Sequence, residues 1–239
     1  MGRRWAVTLG AVALVFTFSG VASAVGIVAQ HVGDTNPLTE GWYVGAQGGS
    51  YVQGPVTSPP EALPAWKVDD NGGYYCLQQN LTNPEREEAS LNGWVLRTRL
   101  RVVDIPDTLG ASVHVVYETT GNPYNYFSMR FGSDASGNAL VDVGSGGTIT
   151  VPGSGYHLYE LVCDPADGLA DFYVDGGLEA SDLGYDRDRG FQYVQWGSNT
   201  SSDTGHGHYN LVEFEIVPEP TAVSLMALGA VALLRRRRG

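Results

Sequence analysis

Between residues 94 and 102 the chain alternates with a period of two: Trp94, Leu96, Thr98, Leu100 and Val102 on one side, Arg97, Arg99 and Arg101 on the other. An extended strand sends successive side chains to opposite faces, whereas a helix would scatter these residues around its axis. Residues 91–103 are therefore expected to form a strand, with the apolar set in a core and the arginines in solvent or on a binding face. Residues 112–118, 125–131, 139–143, 156–163, 170–175, 191–196 and 209–216 carry the same β-branched and aromatic enrichment. Turn-forming residues separate them: Gly121-Asn122-Pro123, residues 133–137, Asp164-Pro165-Ala166-Asp167-Gly168 and Asp175-Gly176-Gly177. No useful helical periodicity interrupts this rhythm, and Glu85-Arg86-Glu87-Glu88 after Asn83-Pro84 reads as a surface loop or a helical turn. About ten to twelve strands without helices predict an all-β fold, a sandwich or jelly roll of two antiparallel sheets.

Both ends differ from this body. Residues 1–24 begin with Arg3 and Arg4, continue through an apolar stretch and close on Ala22-Ser23-Ala24, the small-x-small pattern of a signal peptide cleaved by signal peptidase. A membrane anchor is the rival reading. At the other end, Pro218-Glu219-Pro220 precedes an uncharged segment, residues 221–234, and the run Arg235, Arg236, Arg237 and Arg238. That apolar segment, expected as a short hydrophobic helix, falls short of the roughly 20 residues that span a bilayer core. The basic run beside it holds this end on the cytoplasmic side. The order of Val217-Pro218-Glu219-Pro220, apolar segment and terminal arginines resembles the PEP-CTERM sorting signal of Gram-negative bacteria. The resemblance implies processing by an exosortase, with the C-terminal segment in the inner membrane beforehand and the body on the cell surface or in the extracellular matrix afterwards. An ordinary tail anchor is the alternative. Three parts result: a signal peptide at 1–24, a β domain at 25–216 and a sorting or anchor segment at 217–239.

Residues 25–217 hold 8 basic against 25 acidic side chains, a formal charge of −17. Such a surface repels phosphate backbones, which excludes nucleic acid as a partner, and it suits an exported domain. The two cysteines, Cys76 and Cys163, lie in the body. Export permits a disulfide between them, and two buried thiols are the alternative.

Gly155-Tyr156-His157-Leu158-Tyr159-Glu160-Leu161, followed by Asp171-Phe172-Tyr173-Val174-Asp175-Gly176, resembles a hairpin of the concanavalin A-like lectin/glucanase superfamily, which includes laminin-G-like modules. The resemblance covers residues 155–176, and the strand at 209–216 suits the way such domains end. It implies a jelly roll of two curved sheets and carbohydrate binding, with polysaccharide or glycoprotein as partner.

Glucanases of that superfamily carry carboxylates in an E-x-D-x-(x)-E pattern on one strand, and this chain lacks it. Glu213-Phe214-Glu215 sets two acids on one strand face without the intervening Asp, the pattern of a solvated face. Neither a Gly-x-Ser-x-Gly elbow nor zinc-type Cys/His spacing is present. The expectation is a noncatalytic domain, not an enzyme, with no obligatory cofactor. Calcium is the one cation to weigh, at Asp69-Asp70-Asn71 and at Asp186 with Asp188, although both clusters also fit turn chemistry. His206-Gly207-His208 offers two imidazoles without an obvious third ligand, and His157 reads as an inward, satisfied histidine. For sugar binding the candidates are Tyr124 and Tyr126, then Trp42 and Trp66, because aromatic faces receive the apolar faces of sugars. The function expected is an exported surface protein that binds glycan or matrix polysaccharide. The alternatives are a structural component of an exopolysaccharide matrix and a glycoside hydrolase with an unrecognised carboxylate pair.

Overall fold

The computed structural model describes residues 26–58, 61–103, 109–117, 125–186, 191–198 and 204–217. The signal segment 1–24, the sorting motif Pro218-Glu219-Pro220, the apolar segment 221–234 and Arg235 to Arg238 lie outside the described residues. Among the described residues, no helix is long and apolar enough to cross a membrane.

Among the described residues, fifteen strands form two antiparallel sheets, more than the ten to twelve expected. Sheet A contains β1 (Ile27–Val32), β3 (Tyr51–Ser58), β4 (Leu63–Asp70), β6 (Trp94–Val102), β11 (His157–Cys163), β12 (Ala170–Val174), β13 (Gly177–Leu183) and β15 (His206–Ile216). Its order is β13-β12-β11-β6-β15-β4-β3, with β1 also paired to β15. Sheet B contains β2 (Tyr43–Gly48), β5 (Tyr74–Asn80), β7 (Ala111–Val116), β8 (Tyr126–Ser133), β9 (Ala139–Asp142), β10 (Thr148–Val151) and β14 (Tyr193–Ser198), in the order β10-β9-β8-β7-β14-β5-β2. β15 serves two partners along one edge: β4 takes 206–209 and β1 takes 211–215, and a bulge at Asn210 marks the change.

The period-two pattern of β6 is realised. Trp94, Leu96, Thr98 and Leu100 are fully buried, and Arg97, Arg99 and Arg101 point away from the core. Aromatic rings lock the sheets together: Trp94 lies 4.9 Å from Phe127, Tyr159 lies 4.9 Å from Phe131, and Trp196 lies 4.8 Å from Tyr209. The β11–β12 hairpin forms where its residues suggested, and Asp164 and Asp167 accept from the Ala166 and Leu169 amides at 2.8 and 2.9 Å.

One element corrects the sequence reading. Residues 83–92 form a helix, α1 (Asn83–Asn92), so Leu91 ends a helix and does not open the strand that follows. The start is specified locally: Thr82 caps the Glu85 amide, the Glu85 carboxylate returns to Thr82 at 2.7 Å, and Pro84 occupies the first turn. Its only buried residue is Ala89, so the helix lacks the apolar stripe that a periodicity search detects.

Candidate functional site

Strand register lines up the outward side chains of sheet B in straight rows. Inward go Leu77, Val194, Trp196, Val113, Val115, Phe127 and Met129, all core residues. Their alternate neighbours face out. Tyr43 pairs with Gln78, Gln78 with Gln195, Gln195 with His114, and His114 with Ser128, a polar row crossing β2, β5, β14, β7 and β8. The next row runs Asn80, Tyr193, Val116 and Tyr126. This face points away from the core, yet Gln195 is 2% and His114 1% exposed. The Tyr126 and Tyr193 rings flank the His114 imidazole, with centroids 5.4 and 5.7 Å away.

At the β2 end the face opens into a groove of about 670 Å³, lined by Tyr43, Gly45, Gln78, Asn80, Phe191 and Tyr193 among others. Tyr43 and Phe191 are large aromatics left 41% and 52% exposed. Both are held in place. The Tyr43 hydroxyl donates to Asn80 Oδ1 at 2.6 Å, and the Phe191 ring sits 5.8 Å from Tyr193. Partial burial raises the Tyr43 phenol above its ordinary value, so it stays a neutral donor at physiological pH. Beneath, Gln78 Nε2 donates to Gln195 Oε1 at 2.5 Å. Aromatic faces beside fixed carboxamides offer an apolar wall and hydrogen-bonding groups within one recess, the composition of a small-ligand site.

The residues expected to bind sugar fare differently. Trp42 and Trp66 are 3% and 7% exposed and belong to the core, so neither offers a face to a ligand. The Trp42 indole donates to the Gln30 carbonyl at 2.9 Å, which satisfies it inside the protein. Tyr126 is 7% exposed, stands two strands from the groove and packs near Tyr185. Tyr124 lies outside the described residues. The register that sets Gln195 behind Gln78 at the groove is fixed by pairing between strands more than a hundred residues apart. Local patterning left no trace of it.

Among the described residues the calcium candidates do not converge. Asp69 and Asp70 take opposite faces of β4: Asp70 points inward and accepts from Ser198 Oγ at 2.7 Å, whereas Asp69 pairs with Lys67 at 3.1 Å. Asn71 and Asp186 are exposed, and Asp188 lies outside the described residues. His206 contacts the Asp70 carbonyl, and His208 stands 3.9 Å from Asp69. Among the described residues no group of three or more His, Cys, Asp or Glu side chains is placed to hold a metal ion. His157 is anchored by Asp175 at 2.7 Å. The cysteines are two free, buried thiols, the second of the two readings left open by the sequence: Cys76 lies on β5 of sheet B and Cys163 on β11 of sheet A.

On the outward face of sheet A, Glu213 and Glu215 both reach Arg97 Nη1, the latter at 2.7 Å, and Glu160 lies 3.3 Å from Arg97 Nε. Gln30 donates to Glu213 at 2.6 Å. Glu213 is 6% exposed, so this pair belongs to an ion-paired cluster around Arg97 and not to the solvated face expected. The Arg97 charge is disfavoured by burial, but Glu213 and Glu215 outweigh that and hold its pKa above the ordinary value.

No family model matches the chain. Proteins named sialidase from two strains of Vibrio cholerae serotype O1 are 28% identical to it over 193 residues, covering 77% of this chain and 23% of theirs. The chain thus spans about a quarter of the length of the curated relatives it matches. A conserved carbohydrate esterase from the Shiga toxin-encoding bacteriophage phi24B shares the fold, with a TM-score of 0.60 at 13% identity, covering 81% of this chain and 100% of that one. The expectation of a protein that is not an enzyme is corrected by the likeness in sequence, because those relatives carry the name sialidase.

Proposed function

We propose that this chain is a glycan-recognition sandwich of an exported, carbohydrate-active protein, and that sugar binds in the groove between Tyr43 and Phe191. One observation carries the reading: two exposed aromatic rings border a recess whose polar groups are carboxamides held by hydrogen bonds. The likeness to proteins named sialidase supports the carbohydrate class. Polysaccharide or glycoprotein is the partner in this reading. Removal of residues 1–24 by signal peptidase and exosortase processing at residues 217–239 belong to the same proposal, as does placement at a bacterial surface.

A glycan array with the full chain, run with calcium and again with chelator, tests the reading. Saturable binding that falls about tenfold in Tyr43→Ala and in Phe191→Ala, at unchanged melting temperature, supports it; that loss corresponds to about 1.4 kcal/mol. Binding untouched by both substitutions moves the site off the groove. A folded chain that binds no glycan overturns the reading and leaves a structural matrix component. The same preparation, incubated with sialosides and acetylated sugars, tests for the catalysis that the relatives' names bring into view.

A further inference from the structure

β2 carries an extra residue opposite β5: Val44 pairs with Leu77 and Ala46 with Cys76, which leaves Gly45 as a β-bulge at the groove wall. Its backbone is not in the left-handed region, so chain geometry does not demand glycine there. Space does. A Cβ on Gly45 would run into the Cδ and Oε1 atoms of Gln78. The missing side chain is what lets the Gln78 carboxamide lie against β2 and line the groove.

Behind it stands a second amide. Gln195 accepts from Gln78, is 2% exposed, and its own Nε2 is buried without a hydrogen-bond partner. Gln195 does not itself line the groove; it acts there by holding the Gln78 carboxamide in place from behind. Gln78 already donates through Nε2, and its carbonyl oxygen remains an acceptor beside Gly45. Tyr43 and Asn80 form a second fixed polar pair on the wall.

We infer that Gly45 and Gln78, the latter held from behind by Gln195, make this a site for a neutral sugar, read through its hydroxyl or acetamido groups by uncharged amides; the inference rests on the glycan-binding reading above. Amides offer both donors and acceptors, which matches sugar hydroxyls that are themselves both. A sugar carboxylate is an acceptor only and is best held by cations, and the described residues lining this groove include no Lys, Arg or His. The body charge of −17 works the same way, since it repels acidic polysaccharide and is indifferent to a neutral one.

The test uses the full chain against neutral hexose and N-acetylhexosamine oligosaccharides, with sialylated and uronate oligosaccharides alongside. The expected result is binding to the neutral set that varies little between 50 and 500 mM salt (roughly the range over which charge screening acts) and weakens about tenfold in Gly45→Ala. Gln78→Ala reproduces the loss through the other partner, and melting curves establish that each variant is folded. Preference for the acidic set overturns the inference while the glycan-binding reading stands. Neutral binding indifferent to both substitutions also overturns it, because the amide is then not the reader. Absence of binding to either set removes the reading on which the inference rests.

Discussion

Gln78 and Gln195 are cross-strand partners on β5 and β14, and Nε2 of the first donates to Oε1 of the second at 2.5 Å. Gln195 is almost completely buried, so its carbonyl has no access to bulk water when that bond is lost. Gln78→Met is expected to cost about 1–3 kcal/mol, because it strands a buried acceptor beside a donor already unmet. Adding Gln195→Met should recover most of the loss, since both amides are then gone. Urea unfolding of the two single variants and the double variant measures the coupling, and additive losses would show the bond to be energetically silent.

Arg97 binds three carboxylates on the outward face of sheet A. Arg97→Met leaves Glu213, with a side chain only 8% exposed, without its cation and next to Glu215. The expected loss is roughly 2 kcal/mol, below that of a fully buried pair because solvent reaches Arg97 and Glu215. Glu213→Gln combined with Arg97→Met should be milder than Arg97→Met alone. A destabilisation of Arg97→Met that persists unchanged in the double variant would assign the cost to packing of the arginine stem.

His208 makes folding pH-dependent. Burial lowers its pKa from the ordinary 6.5 to about 4, with Arg101 and Lys67 working in the same direction against Asp69. Between those values the unfolded chain takes the proton and the folded chain does not. Stability is therefore fully present above about pH 6.5 and is lost as pH falls towards about 4, by roughly 3 kcal/mol in all. His208→Gln should flatten that portion of the stability curve relative to the unsubstituted chain. Parallel curves across this window would exclude His208 as the source.

The two cysteines should behave as shielded thiols. Burial pushes Cys76 up to about 11 and Cys163 up to about 12, so neither supplies appreciable thiolate at pH 8. Iodoacetamide is expected to label the native chain slowly and both sites quickly in denaturant, and reductant should leave the melting temperature unchanged. Mass spectrometry that finds neither cysteine labelled in denaturant without reductant would reinstate a disulfide.

The strand class was legible because it is written locally. The alternation around Trp94 and the turn residues between 164 and 168 depend on neighbours in the chain, and both elements form, the strand over Trp94–Val102 within the 91–103 expected. α1 escaped because its specification is a capping box with a single buried alanine, which leaves no apolar stripe to find. Trp42 and Trp66 were misread as ligand platforms for a related reason. Aromatic identity is the same in a core as on a surface, and only the opposing sheet decides between them.

What the sequence by itself determined is therefore the period-two patterning, the acidic balance of the body and the residues available for turns and caps. What only the tertiary structure decided is the site. β14 sits between β5 and β7 in sheet B, and its register sets Gln195 beside Gln78 on one side and His114 on the other. A shift of β14 by one residue would send Gln195 to the opposite face, away from both Gln78 and His114. That register is chosen by packing of Val194 and Trp196 against the opposite sheet, a long-range constraint carried by no short stretch of chain.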